Sequence, residues 1–398
     1  MVRETLQTSP YLTHLTPGEK TPIRYLTDTF GPSEPFGYPA PEHARFGIVG
    51  LDRKVVWESD SRTLDVLRHC AAQPVSREEV SARWTSALTD ELVARGWLQP
   101  PDQLCREYHL RSGEIEVTAH CNWGCRFCPV ATDPKPRRTM PMDLFEEIVA
   151  KLADLGTIEY VTFHFFNEPT LDKFFTSRLE VLRRYGLELA LYTNASGLTQ
   201  EKIDALADGD VLRHLIVNMP SVDATDFAAL TSSRLFDRTM TNVDAAIAAG
   251  FRTQIVVNGV GADQQRNLLQ ITDRYGSRGA EVVPTMTCDR AGDVGDHTYH
   301  QGVNAGGRLS GCGWPVAHGN FSVTGDLFLC CNDYYQRETF GNIRDGSLDA
   351  LMTNEKAVRL RQRVFGVSAA AEDFICRRCH NQRLDFAGRE FRPIATFG

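Results

Sequence analysis

The chain has 398 residues, with 43 Lys and Arg against 51 Asp and Glu, a net charge of −8, and 42% hydrophobic and 24% charged residues. These proportions exclude wholesale disorder, leave room for two or three domains, and argue against a general nucleic-acid binder. No apolar run reaches the roughly 20 residues of a membrane span, and the opening MVRETLQTSPYLTHL lacks a secretory pattern, so a cytoplasmic location without a membrane partner is expected.

Residues 1–44, rich in Pro, Thr and Gly, read as an extended lead-in. Over 45–110 two short strands, FGIV and KVVWE, precede three short helices in SRTLDVLRHC, SREEVSARW and LTDELVARGWLQP. Ser76 with Glu79 fits a capping box, and Gly96 closes the last helix. The order suggests a small winged-helix-like domain, which as a bare packing unit needs no ligand.

Residues 111–290 alternate apolar strand-like runs (EIEVTAH, YVTFHFF, LELALYT, LRHLIVNM, RTQIVVN, AEVVPTM) with helical stretches such as MDLFEEIVAKLADLG and KFFTSRLEVLRRYG. The expected class is α/β, a partial (β/α)6 TIM-like barrel, because six units are too few for the eight-fold closure. Chemistry in such sheets gathers at the carboxyl ends of the strands. Residues 291–398 form a cysteine-rich extension with few long periodic segments.

Eleven cysteines in a chain read as cytoplasmic point to metal ligation rather than a disulfide framework. HCNWGCRFCPV sets Cys121, Cys125 and Cys128 in a C-x3-C-x2-C spacing directly after the first barrel strand. A cubane iron–sulfur cluster takes one thiolate on each of four irons, so three local cysteines leave one iron open. A closed zinc site needs four ligands, and His120 beside the loop offers a fourth, so a zinc knot is the alternative. Cys312 and Cys330 define C-x12-G-x4-C around Gly325, and Cys376 and Cys379 follow as C-x2-C.

CNWGCRFC resembles the cluster loop of the radical S-adenosylmethionine (SAM) enzymes, and the partial barrel is similar to theirs. The resemblance implies a [4Fe–4S] cluster on Cys121, Cys125 and Cys128, SAM as cofactor, and a 5′-deoxyadenosyl radical that takes hydrogen from an unactivated C–H bond. HFFNEPTLD resembles the family's GGEP segment, with Phe166 and Asn167 in place of the glycines. It implies that Asn167, Glu168 and Pro169 lie at the SAM amino group, where a carboxylate complements an ammonium. By the same resemblance Asn194 in LYTNASG lies near the ribose, Asn218 is a polar candidate for the SAM carboxylate or ribose, and Phe127 lies beside adenine.

The second cysteine group resembles the SPASM extension of these enzymes, which holds auxiliary clusters. Because 380–398 contain no further cysteine, the resemblance implies one auxiliary [4Fe–4S] cluster, fully ligated by Cys312, Cys330, Cys376 and Cys379, with Cys331 spare. Four thiolates also suit zinc. Cys288, after the sixth strand, is a candidate hydrogen-atom donor whose bland reading is a buried thiol.

These features lead to an enzyme altering a C–H bond in natural-product or peptide maturation, by oxidation, cross-linking or epimerisation. The alternative is a carbohydrate or aminoglycoside epimerase or dehydrogenase with Cys288 as donor. A reading of another class is a zinc-stapled DNA-binding or regulatory protein. Expected partners are a small-molecule or peptide substrate and an external electron donor such as flavodoxin or ferredoxin.

Overall fold

Pairing between distant segments organises the first hundred residues. The computed structural model describes residues 4–18, 39–51, 54–287, 289–294, 307, 309, 311–379 and 394–395. Strands β1 (Thr5–Thr8), β2 (Thr13–Leu15), β3 (Phe46–Val49) and β4 (Val55–Glu58) come first, then α1 (Arg62–Ala72), β5 (Val75–Ser76), α2 (Arg77–Arg83), α3 (Ser86–Ala94) and β6 (Leu98–Gln99). β1 lies between β5 and β6, antiparallel to both, and β2, β3 and β4 form a separate antiparallel sheet in that order.

The extended lead-in expected over 1–44 is corrected here, since β1 and β2 are part of this unit. Each is too short to show a period of two, and each is fixed by partners far along the chain. Leu6, Phe46, Ile48, Val66, Leu67, Val80 and Leu92 share one buried core. Ser76 Oγ accepts the Glu79 N–H at 3.2 Å and Thr85 Oγ1 the Leu88 N–H at 3.1 Å, which caps α2 and α3.

The parallel sheet follows: β7 (Ser112–Ile115), β8 (Tyr160–Phe163), β9 (Leu189–Thr193), β10 (Leu212–Asn218), β11 (Thr253–Gly259) and β12 (Glu281–Met286), each beside its sequence neighbour. Crossovers run through α4 (Met142–Asp154), α5 (Phe175–Tyr185), α6 (Gln200–Ala207), the pair α7 (Ala224–Thr231) and α8 (Phe236–Ala248), and α9 (Gly261–Tyr275). Helix α4 shows how sequence directs this packing. Leu144, Phe145, Ile148, Val149 and Leu152 recur at helical spacing and share a core with Ile115, Val161 and Phe163 of the strands. Burial of each such side chain contributes about 1.5–3 kcal/mol relative to exposure. Alternate strand residues, among them Glu114, Thr162, Ala190, Ile216 and Val256, fall on the opposite face.

The sheet does not stop at β7. After α10 (Trp314–Ala317), β13 (His318–Phe321) adds in parallel beside β7, and β14 (Asp326–Phe328) and β15 (Thr339–Asn342) continue antiparallel, giving nine strands. Helices α11 (Leu348–Thr353), α12 (Glu355–Val364) and α13 (Ile375–Arg378) complete the extension, which is more regular than its sequence pattern suggests. The glycine of C-x12-G-x4-C has a plain structural reason. Gly325 turns the chain between β13 and β14 at φ +85°, and a Cβ there would meet Leu144 Cδ1 at 2.9 Å.

Candidate active site at the carboxyl end of the sheet

Cys121, Cys125 and Cys128 sit in the connection from β7 to α4. Two antiparallel contacts close its stem, Ala119 N–H to Arg138 O at 2.8 Å and Met140 N–H to Val117 O at 2.9 Å. Arg178 of α5, fully buried, donates to the Met140 carbonyl at 2.6 Å and pairs with Asp172 at 2.5 Å. The tip is held by α7. Gly124 N–H donates to Thr231 O at 2.9 Å and Arg126 N–H to Leu230 O at 3.1 Å, so carbonyls left open at a helix end find partners. Trp123 meets Phe227 edge-on at 4.9 Å, and Phe127 lies buried in the same cluster with Cys125.

The three cysteines lie in one cluster, Cys125 buried and Cys121 and Cys128 half-buried. Burial pushes Cys121 up to about 12, with Glu168 and Cys128 adding to the shift. Burial, then Cys128 and Cys121, raises Cys125 further, and burial raises Cys128. Burial thus disfavours the thiolate form of all three, and a bound iron–sulfur centre, which takes its cysteines deprotonated, would supply the compensating positive charge. His120 is half-buried, and its carbonyl accepts the Glu168 N–H at 2.8 Å.

Glu168 leaves β8 into a one-turn 3-10 helix, Pro169–Leu171, where proline costs no backbone hydrogen bond. Its carboxylate is fully buried. Oε1 accepts from the Thr170 N–H at 3.0 Å, the Thr170 hydroxyl, and Thr193 Oγ1 at 2.5 Å; Oε2 accepts the Asn194 N–H at 2.5 Å. Burial outweighs these donors and pushes its pKa up. Asn194 Nδ2 reaches Asn122 Oδ1 at 3.0 Å and Cys121 Sγ at 3.8 Å, and Ser196 bridges Asn122 and Asn194. The carboxylate, β9 and the cysteine loop are thus one hydrogen-bonded unit.

Asn167 Nδ2 donates to Thr118 O at 2.7 Å and His164 O at 3.0 Å, tying this turn to the loop stem. Asn218 pairs with Asn258 of β11, away from that network. The departure from glycine at Phe166 has a packing reason: its ring stands edge-on to Tyr334 of the extension at 4.6 Å. Phe165, at φ 87°, is a bulky residue in the left-handed region, and its ring lies 5.0 Å from Phe328 of β14.

Cys312, Cys330, Cys376 and Cys379 also converge. Burial raises Cys330, and Cys331, Cys376, Cys379 and Cys312 raise it further. Asn332 Nδ2 donates to Cys379 Sγ at 3.1 Å. Between the two groups stands Arg290, which reaches Cys331 Sγ at 3.7 Å and Asn332 Oδ1 at 3.3 Å, stacks over Phe166 at 5.3 Å, and lowers the Cys128 pKa. Cys288 lies outside the described residues.

Residues 115–265 match the model of the radical SAM superfamily, and 312–380 match the iron–sulfur cluster-binding domain SPASM. The chain is a radical SAM protein with a SPASM domain. These domains imply SAM and [4Fe–4S] clusters as cofactors, and the two cysteine groups, each gathered in one place, supply the sulfur donors that chemistry takes.

The S-adenosyl-L-methionine-dependent 2-deoxy-scyllo-inosamine dehydrogenase of Niallia circulans is 22% identical over 284 residues, 67% of this chain and 92% of that protein. A GTP 3′,8-cyclase of Photorhabdus laumondii is 30% identical over 155 residues, 38% of this chain; the radical SAM chain spans only 46% of the cyclase. Streptococcus suis SuiB bound to precursor peptide SuiA shares the fold at TM-score 0.52 and 11% identity, over 89% of this chain and 90% of that one. Native anSMEcpe with bound AdoMet and Cp18Cys peptide does so at 0.51 and 12%, over 70% and 94%. Among the described residues no helix is long and apolar enough to cross a membrane.

Sequence reasoning missed α7 with Phe227, the Asn122–Ser196 bridge, Asn258 and Arg290. Asp223, which caps α7 through the Thr225 and Asp226 amides, was the one local signal available.

Proposed function

We propose that this radical SAM protein oxidises a C–H bond of a natural-product substrate, a dehydrogenation. The observation that carries the reading is the placement of two cysteine groups on either side of Arg290, Phe166 and Tyr334. Cys121, Cys125 and Cys128 hold the SAM-binding cluster, and Cys312, Cys330, Cys376 and Cys379 the auxiliary one. When bound, the first cluster would supply the reducing electron and SAM the radical chemistry that removes hydrogen from a substrate carbon.

The protein's share is binding and exclusion of water. Glu168, locked by Thr170, Thr193 and Asn194, presents its remaining acceptor capacity to the SAM ammonium, beside Asn167 and Pro169. Asn194 serves the ribose, Phe127 offers an apolar surface to adenine, and Asn218, paired with Asn258, is the weaker candidate for the carboxylate or ribose. The electron comes from an external carrier such as flavodoxin or ferredoxin. The dehydrogenase relative supports this reading over the others.

A peptide substrate is the second reading. β4 is a half-buried edge of the β2–β3–β4 sheet, followed by three helices, and such an edge accepts an added peptide strand. Residues 45–110 then act as the leader-binding domain, with 111–290 the barrel and 291–398 the auxiliary-cluster domain. Cys288 as hydrogen-atom donor belongs to the epimerising alternative. The domain matches leave a zinc-stapled DNA-binding protein without support.

The test is anaerobic reconstitution with iron and sulfide, followed by reduction with SAM. Formation of 5′-deoxyadenosine by the wild type and its absence in Cys125→Ala is the expected result. A colourless, sulfide-free protein overturns the reading.

A further inference from the structure

One cluster of titratable groups lies outside everything assigned so far. On the sheet face opposite the helices, Glu114 of β7 is 2% exposed and accepts from Ser112 Oγ at 3.0 Å and from the Thr162 hydroxyl. Two imidazoles flank its carboxylate. His164, the residue after β8, brings Nδ1 to 3.3 Å of Oε2; His318, which opens β13, brings Nδ1 to 3.7 Å of Oε1 and to 2.8 Å of Ser112 Oγ.

Burial alone would raise the Glu114 pKa, yet the two imidazoles outweigh it and hold the carboxyl well below the usual range. Each ring is also fixed from its side. His164 stacks on Tyr192 at 4.5 Å and on Phe165 at 5.3 Å, and His318 tilts over Trp314 at 4.3 Å.

The histidine side chains stay 21% and 13% exposed while the carboxylate is closed off. Among the described residues, neither Nε2 makes a hydrogen bond to protein. His164 also sits four residues before Glu168, at the carboxyl end of β8 where the cysteine loop and Glu168 gather. His164 Nδ1 touches the buried carboxylate outside hydrogen-bond geometry and its ring is held by stacking, so that Nε2 is presented, an arrangement that suits a general base. It recurs here on a face with no assigned chemistry.

We propose that His164, positioned by Glu114, deprotonates a hydroxyl group on the substrate carbon that loses hydrogen, so that the substrate is a polyhydroxylated small molecule. His318 keeps Glu114 ionised from the far side. The proposal rests on the radical SAM dehydrogenation reading and names its substrate class. Once a hydrogen atom has left a carbinol carbon, the remaining hydroxyalkyl radical becomes a ketone by losing one electron and the O–H proton. The proton goes to Nε2 of His164, and the electron to an acceptor of the iron–sulfur class.

The experiment uses the full chain, reconstituted anaerobically, with 2-deoxy-scyllo-inosamine and myo-inositol as probes. Calorimetry in the presence of SAM reads binding; mass spectrometry reads ketone and 5′-deoxyadenosine. Wild type is expected to bind a probe and to form ketone and 5′-deoxyadenosine in equal amounts. His164→Gln and Glu114→Gln should keep the Kd within about threefold but lower ketone per 5′-deoxyadenosine at least tenfold, on the scale positioned proton transfer supplies. A merely structural role would weaken binding as well as turnover.

Unchanged ketone yield in His164→Gln overturns the proposal. So does a wild type that cleaves SAM but neither binds nor oxidises any polyol, an outcome that leaves the functional reading standing. Absence of SAM cleavage in wild type instead removes that reading, together with the site built on it.

Discussion

Arg178 offers the sharpest test of how the cysteine loop is held. Its guanidinium and the Asp172 carboxylate are both wholly buried, 2.5 Å apart, and the same guanidinium holds the Met140 carbonyl at 2.6 Å and lies over the Phe145 ring at 4.7 Å. Arg178→Met keeps most of the apolar volume but strands a buried carboxylate and frees a carbonyl of the loop stem. Breaking one side of a buried pair costs about 3–5 kcal/mol. At a urea slope of about 3 kcal/mol per M, the midpoint should fall by on the order of 1 M. Circular dichroism of the anaerobic apoprotein measures the midpoint, and an iron assay after reconstitution should show a parallel loss. Arg178→Met with Asp172→Leu should recover part of the stability, because no charge is then left uncompensated. A midpoint within 0.2 M of wild type, roughly 0.6 kcal/mol at that slope, would refute the argument.

Further outcomes follow from other residues. Phe227→Ala, at a position with no exposure beneath Trp123, should cost about 3–5 kcal/mol and lower iron retention in the first cluster; stability is read by thermal melting and iron by colorimetry. Cys379→Ala should lower total iron and sulfide while SAM cleavage persists, and full iron content would remove the auxiliary site. Glu114 has a native pKa below its unfolded value, so its stabilisation is complete above the unfolded carboxylate range near pH 4.3 and fades as pH falls toward the native value. The stability gap between wild type and Glu114→Gln should therefore narrow on acidification from pH 6 to pH 3.5, as measured by denaturation. In deuterated buffer, dehydrogenation gives a product two mass units lighter with no solvent deuterium; deuterium incorporation that Cys288→Ala abolishes would favour epimerisation instead.

Sequence alone determined the class of fold, the cysteine spacings and the order of motifs, because these are local. Helical periodicity in α4, strand runs such as IVNM, and three thiols within eight residues are each written in one short window. It did not reveal that β1 and β2 complete the N-terminal unit, that β13 extends the barrel sheet beside β7, or that α7 braces the cysteine loop. Those depend on pairings between residues far apart in the chain, where short strands carry too little pattern to declare a partner. The same reason hid Arg290 between the two cysteine groups and the two histidines around Glu114. Glu114 lies on β7, His318 on β13 and His164 just beyond β8, and only the parallel register of those strands brings one carboxylate within reach of both rings.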